Sequence, residues 1–143
     1  TIREKLARQL PATPMDPAQI KQALVNLIKN ALHAMTKGGT LTFKLENHEI
    51  DEAYARMTPG ARPGRYVCLS VADNGQGIAP DHLPRLTERF YRVDKSRIRE
   101  MGETAGTGLG LAIVKHVAQR HGAELAIESS VGVGSTFRLV FSK

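Results

Sequence analysis

Asn26 and Asn30 stand four residues apart in the run QALVNLIKNALHAM, and His33 follows three residues later. On a helix that spacing puts both carboxamides and the imidazole on one face. An amide oxygen is a hard, neutral ligand that suits Mg²⁺ beside water and phosphate oxygens. Two asparagines can equally line the polar side of an amphipathic helix. In DNGQGI, residues 73–78, a carboxylate precedes two glycines. Asp73 at a strand end can accept a hydrogen bond from an exocyclic amine, the group that distinguishes adenine from guanine. Gly75 and Gly77 would let backbone approach a flat ligand closely, although Asp-Asn-Gly also favours an ordinary turn. In GTGLGLAIVK, residues 106–115, three glycines open a helix. Glycines there turn backbone N–H groups toward an anion, and the helix dipole adds to the attraction. The dinucleotide fingerprint GxGxxG would need glycine where Leu111 stands, and no GxxxxGK[ST] run occurs. The fourth segment, GVGSTF at 132–137, is a glycine turn entering a strand.

The elements that position these groups follow from the apolar pattern. Asp16 offers an N-cap and Pro17 a first helical position. From there Ile20, Ala23, Leu24, Leu27, Ile28, Ala31, Leu32 and Met35 recur at helical spacing until Gly38-Gly39. Leu41, Phe43 and Leu45 alternate with polar residues as in a half-buried strand. Residues 47–64 carry Pro59-Gly60 and Pro63-Gly64 and read as an exposed loop or hairpin excursion. A second strand is predicted over Tyr66–Ala72, a short helix from Pro80 to about Arg89, and a mobile polar stretch over 91–107. Leu109–Arg120 reads as an apolar helix closed by His121-Gly122, with positive charge favourable at its C-terminal end. Strands are predicted near Ala123–Ser129 and Thr136–Phe141. Residues 1–15 read as a lead-in, where Pro11 and Pro14 block a long helix. The pattern predicts one domain over 1–143 in the α/β (α+β) class: a two-layer sandwich with a mixed, mostly antiparallel sheet against about three helices.

Composition narrows the class. The 143 residues suit a single hydrophobic core, and 41% apolar with 24% charged residues is ordinary for a globular domain. No apolar run reaches the roughly 18–20 residues that cross a bilayer, and the first thirty residues lack a signal-peptide pattern. The expectation is a cytoplasmic piece without direct membrane contact, compatible with a parent anchored in an inner membrane. The single Cys68 cannot form an internal disulfide and reads as a small strand residue. A net charge of +6 favours an anionic partner. The absence of Trp and an aromatic content of 5% weaken the case for a single-strand nucleic-acid groove, and basic charge alone is more often a solvated surface; no nucleic-acid partner is expected.

In order and spacing, the four segments resemble the N, G1, G2 and G3 boxes of the GHKL superfamily. That group holds gyrase-type, chaperone and mismatch-repair ATPases and the histidine kinases. The likeness runs from about Asp16 to Phe141, and RFYRVD at 89–94 resembles the F box of histidine kinases. RLTERFYRVDKSR and GTGLGLAIVKH resemble phosphate-regulon sensor kinases. NALHAMTKGG and DEAYARMTPGARPG look more like hybrid and nitrogen-regulation kinases. The resemblance implies the GHKL fold, with ATP and Mg²⁺ as cofactors. By matching position, Asn30 would hold Mg²⁺ with Asn26 and His33 beside it. Asp73 would read the adenine amine, Gly75, Gly77 and Ile78 would shape the base pocket, and Thr136 would support Asp73 through water. Gly106, Thr107, Gly108, Leu109, Gly110 and Leu111 would wrap the phosphates. Phe90 would pack the lid over 91–107, next to Tyr91. Arg92, Lys95 and Arg97 would touch the phosphates as the lid closes, or belong to a solvated loop with Asp94, Glu100 and Glu103.

GHKL enzymes that hydrolyse ATP carry a glutamate one helical turn before the Mg²⁺ asparagine. Asn26 stands there and cannot act as a general base. The resemblance therefore implies a histidine kinase catalytic domain, in which an imidazole from a separate dimerisation and histidine-phosphotransfer domain attacks ATP and a response regulator acts downstream. The five histidines, at 33, 48, 82, 116 and 121, lie outside any H-[ED]-x-x-[NT]-P run, so the phosphoacceptor is expected elsewhere. The domain itself is expected to be monomeric. The alternatives are an anti-sigma-type serine kinase with the same boxes and a non-catalytic ATP-sensing module.

Overall fold

Asp16 starts the longest helix, its Oδ1 accepting the Ala18 N–H at 3.0 Å while Pro17 takes the first helical position. A computed structural model describes residues 1–10, 14–92 and 109–142. The elements run β1 (Ile2–Leu6), α1 (Pro17–Ala34), β2 (Leu41–Ile50), α2 (Glu52–Met57), β3 (Gly64–Asp73), a 3₁₀ turn (Leu83–Arg85), α3 (Gly110–Arg120), β4 (Glu124–Ser130) and β5 (Gly134–Ser142). The five-stranded sheet has the order β1-β2-β3-β5-β4, with β1 parallel to β2 and every other pair antiparallel.

The two long helices cover one face of the sheet. α1 buries Ala23, Leu27 and Ala31, and α3 buries Val114, Val117 and Ala118. Below them lie Leu41, Val67, Val71, Phe137, Leu139 and Phe141. Alternation along each strand sends these side chains inward, and their removal from water supplies the main stabilising term. The opposite face is charged, with Arg138 Nη1 2.7 Å from Glu128 Oε1. This is the two-layer sandwich that the periodicity predicts.

His121 ties the outer ends of the helix pair. Its Nε2 accepts the Asp16 N–H at 2.9 Å and its Nδ1 donates to the Val117 carbonyl at 2.7 Å. The ring thus bridges the two helix ends, a structural role. Because the start of α1 meets the end of α3, the helices run antiparallel, and Asn26 comes to lie beside Gly110.

Two predicted elements differ, and a third resolves between its alternatives. Ile2–Leu6, read as lead-in, forms an edge strand; its apolar residues lie four apart and the whole strand is exposed, so it carries no alternating signal. Of the two readings of 47–64 the hairpin holds: β2 runs to Ile50 and pairs antiparallel with β3 from Gly64, and between them Asp51 caps the short α2, its side chain accepting from the Tyr54 N–H at 2.7 Å. Between Pro80 and Arg89 only the 3₁₀ turn forms, since Pro84 has no N–H to continue a helix.

Candidate active site

Asp73 ends β3 on the helix-covered face and is only 9% exposed. Its Oδ1 accepts the Gly75 N–H at 2.9 Å, which closes a tight turn on the carboxylate. Burial pushes the Asp73 carboxyl above the usual carboxylate range, while N–H groups of Gly75 and Ser135 pull it back.

The loop after Asp73 is clamped from two sides. Toward α1, the Gln76 N–H donates to the Ala34 carbonyl at 3.1 Å. A Cβ on Gly75 would stand 2.4 Å from that same oxygen. Toward the β4–β5 turn, the Gly132 N–H donates to the Gln76 carbonyl at 2.8 Å and the Ile78 N–H to Ser129 Oγ at 2.8 Å. Ser129 Oγ also donates to the Gly134 carbonyl at 3.0 Å or shares a proton with Ser135 Oγ at 2.7 Å. Gly77 has φ 76°, and a Cβ there would lie 2.1 Å from the Ser130 carbonyl oxygen. Gly77→Ala combines a left-handed backbone with a clash against fixed backbone. It should cost at least ~2 kcal/mol of stability in urea unfolding and weaken any ligand held by Asp73. A variant as stable as the parent would show that this seam yields freely.

On α1, the Asn30 carboxamide is half-buried, and its Nδ2 is fully covered without a hydrogen-bond partner among the described residues. Rotating the amide exchanges that nitrogen for the oxygen. Asn26 Oδ1 stands 3.6 Å from the place a Cβ on Gly110 would take. The N-terminus of α3, where a helix's first N–H groups lack intrahelical partners, therefore abuts the asparagine face. His33 is half-buried and engaged in an interaction of its own. Ile78 and Leu111 pack against the core, and Leu109 is the half-buried residue preceding α3.

Other expected residues fall differently. The strand register pairs Asp73 with Ser135 and Ala72 with Thr136. Side chains alternate along a strand, so the hydroxyl on the Asp73 face belongs to Ser135, and Thr136 turns to the other side. This corrects the support assigned to Thr136. Phe90 has φ 66° and a side chain 68% exposed, so it packs little within the described residues. Tyr91 is held instead: its hydroxyl bonds His82 Nδ1, and the Arg85 guanidinium lies 4.5 Å from its ring centre. Arg92 is half-buried and engaged. Lys95, Arg97, Gly106, Thr107 and Gly108, with the expected lid from residue 93 onward, lie outside the described residues. Sequence reading missed Ser129, Ser135 and Asn74. Ser135 could have been found, because it precedes the inward Phe137 by two residues in a strand.

A cleft of about 500 Å³ lies elsewhere, lined by Gln9, Leu10, Asn47, His48, Glu49, Arg65 and Tyr66. It sits at the far end of β2 and β3 from Asp73 and includes none of the groups above.

The family described as histidine kinase-, DNA gyrase B-, and HSP90-like ATPase matches residues 15–143. The phosphate regulon sensor protein PhoR of Pseudomonas aeruginosa is 46% identical over 125 residues, 87% of this chain and 24% of its own length. The sensor-like histidine kinase SenX3 of Mycolicibacterium smegmatis is 41% identical over 124 residues, 87% of this chain and 28% of its own length. The chain thus spans about a quarter of the length of these relatives. Among solved structures, the mycobacterial sensor histidine kinase MprB superposes with a TM-score of 0.70 at 26% identity, over 99% of this chain and 81% of that one. The catalytic domain of histidine kinase ThkA, at 22% identity, shares the fold with a TM-score of 0.71, over 99% and 78%. With nearly its whole length matched, the chain belongs to the histidine kinase-, DNA gyrase B-, and HSP90-like ATPase family.

Proposed function

We propose that this domain binds Mg²⁺-ATP and donates its γ-phosphoryl group to a histidine on a separate helical domain of a two-component sensor kinase. The observation that carries the reading is the meeting of a buried strand-end carboxylate, Asp73, with a loop clamped between α1 and the β4–β5 turn. A carboxylate there can accept from the adenine amine, and the loop glycines leave room for the flat base. The start of α3 beside Asn26 offers N–H groups and dipole to the phosphates.

Asn30 fits a metal role, since its covered amide has an atom without a partner among the described residues. Among the described residues no cluster of three or more His, Cys, Asp or Glu could hold a metal ion. When bound, Mg²⁺ would offset charge on the phosphate oxygens. α1 carries no Asp or Glu, so it offers no carboxylate to deprotonate water. The domain's work is then to orient the nucleotide for an imidazole, whose nitrogen forms the new bond to phosphorus as the bond to the β-γ bridging oxygen breaks.

The sensor-kinase relatives support a response regulator as downstream partner. No helix among the described residues is long and apolar enough to cross a membrane. The test is transfer in trans from γ-phosphate-labelled ATP to a panel of isolated dimerisation-and-histidine domains. The expected product is acid-labile and base-stable, with very slow ATP hydrolysis by the domain alone. An acid-stable label on serine, or brisk hydrolysis, would overturn the histidine kinase reading.

A further inference from the structure

We propose that Asn74 is a positioning residue: it never meets the nucleotide but fixes where Asp73 presents its carboxylate. The antiparallel ladder between β2 and β3 ends at the pair Leu41 and Asp73. Continued by one step, it would pair Thr40 with Asn74. At that step the Thr40 N–H donates instead to the Asn74 side-chain Oδ1 at 2.7 Å. The carboxamide stands in for a backbone carbonyl, so β2 stays held one residue past the last true pair. The Asn74 backbone is thereby released from the ladder. It can turn so that the Gly75 N–H reaches Asp73 Oδ1 and the Gln76 N–H reaches the Ala34 carbonyl. One side chain thus lets the strand stop and the base-binding loop begin at adjacent residues.

Gly39 supplies an independent handle. A Cβ there would lie 2.5 Å from Asn74 Oδ1 and 2.7 Å from Met35 Sδ. The methionine tip can move aside, whereas the carboxamide would have to leave Thr40. Any side chain at 39 should therefore act on the site through Asn74.

The inference rests on the nucleotide-site reading above, and its experiment separates the two. ADP and GDP affinities are measured by calorimetry at pH 8 for the parent, Asn74→Ala, Asn74→Asp, Gly39→Ala and the Asn74→Ala/Gly39→Ala double variant, at a temperature where thermal scans show each folded. Asn74→Ala should weaken ADP about five- to tenfold and narrow the preference for ADP over GDP, because an unanchored carboxylate selects less sharply. Asn74→Asp keeps the only acceptor used and should stay within about twofold of the parent. Gly39→Ala should resemble Asn74→Ala, and should add less than about twofold in its background, since both break one contact. Unchanged affinity and selectivity in Asn74→Ala, or full additivity of the two substitutions, would overturn the role of Asn74 while leaving the site intact. A parent that binds no ADP would overturn the nucleotide site and this inference together. Should Asn74→Ala fail to fold, Gly39→Ala against Asn74→Asp still decides: equal losses in both would contradict the single-acceptor role.

Discussion

Asp73→Ala should weaken ADP binding by about 10- to 150-fold, the range set by losing one hydrogen bond to a charged group worth ~1.5–3 kcal/mol. The carboxylate is buried, so water cannot easily replace it as the acceptor for the adenine amine. Asp73→Asn keeps the shape but puts an amide where the second oxygen was, and should bind nearly as poorly. Calorimetric titration measures both, and parent-like affinity in either would remove Asp73 from the site.

The same residue should cost the empty domain stability at neutral pH. Burial raises the Asp73 carboxyl, so the folded state holds its proton more tightly than the unfolded chain does. Its contribution to stability is then full below the unfolded Asp value and is lost as pH rises through the higher folded value. A neutral carboxamide in its place would carry no such penalty. The unfolding free energy of Asp73→Asn relative to the parent should therefore shift in the variant's favour as pH climbs from about 3.5 to 7. A difference that stays flat over that window, followed by urea denaturation, would contradict the burial argument.

Asn30→Ala carries the second large effect, and it should appear only with metal. With Mg²⁺ present, loss of an amide ligand should weaken ATP by about tenfold or more; in chelator the change should stay within about twofold. Equal losses under both conditions would assign Asn30 to the nucleotide rather than the ion. Because its Nδ2 has no partner among the described residues, removing it breaks no hydrogen bond there, and the variant should be at least as stable as the parent.

Periodicity made α1, β2, β3 and α3 legible because each buries one face and exposes the other. Where burial is absent the signal goes too. β1 is fully exposed and is held by its parallel pairing with β2, which local sequence does not encode. The site was legible as segments rather than as geometry. Asp73 and the glycines carry their chemistry in their types, but which hydroxyl faces Asp73 depends on a one-residue choice of strand register. That choice falls on Ser135, not Thr136. Asn74 was silent for a related reason: its partner, the Thr40 N–H, lies across the sheet and belongs to backbone.

The most direct test follows backbone amides by NMR as Mg²⁺-ADP is added, with Mg²⁺-GDP as control. The expected result is perturbation of Gly75, Gly77, Asn30 and Gly110 by ADP, and much weaker change with GDP. Shifts confined to the cleft at Gln9 and Tyr66, or the same response to both nucleotides, would contradict a purine pocket read by Asp73.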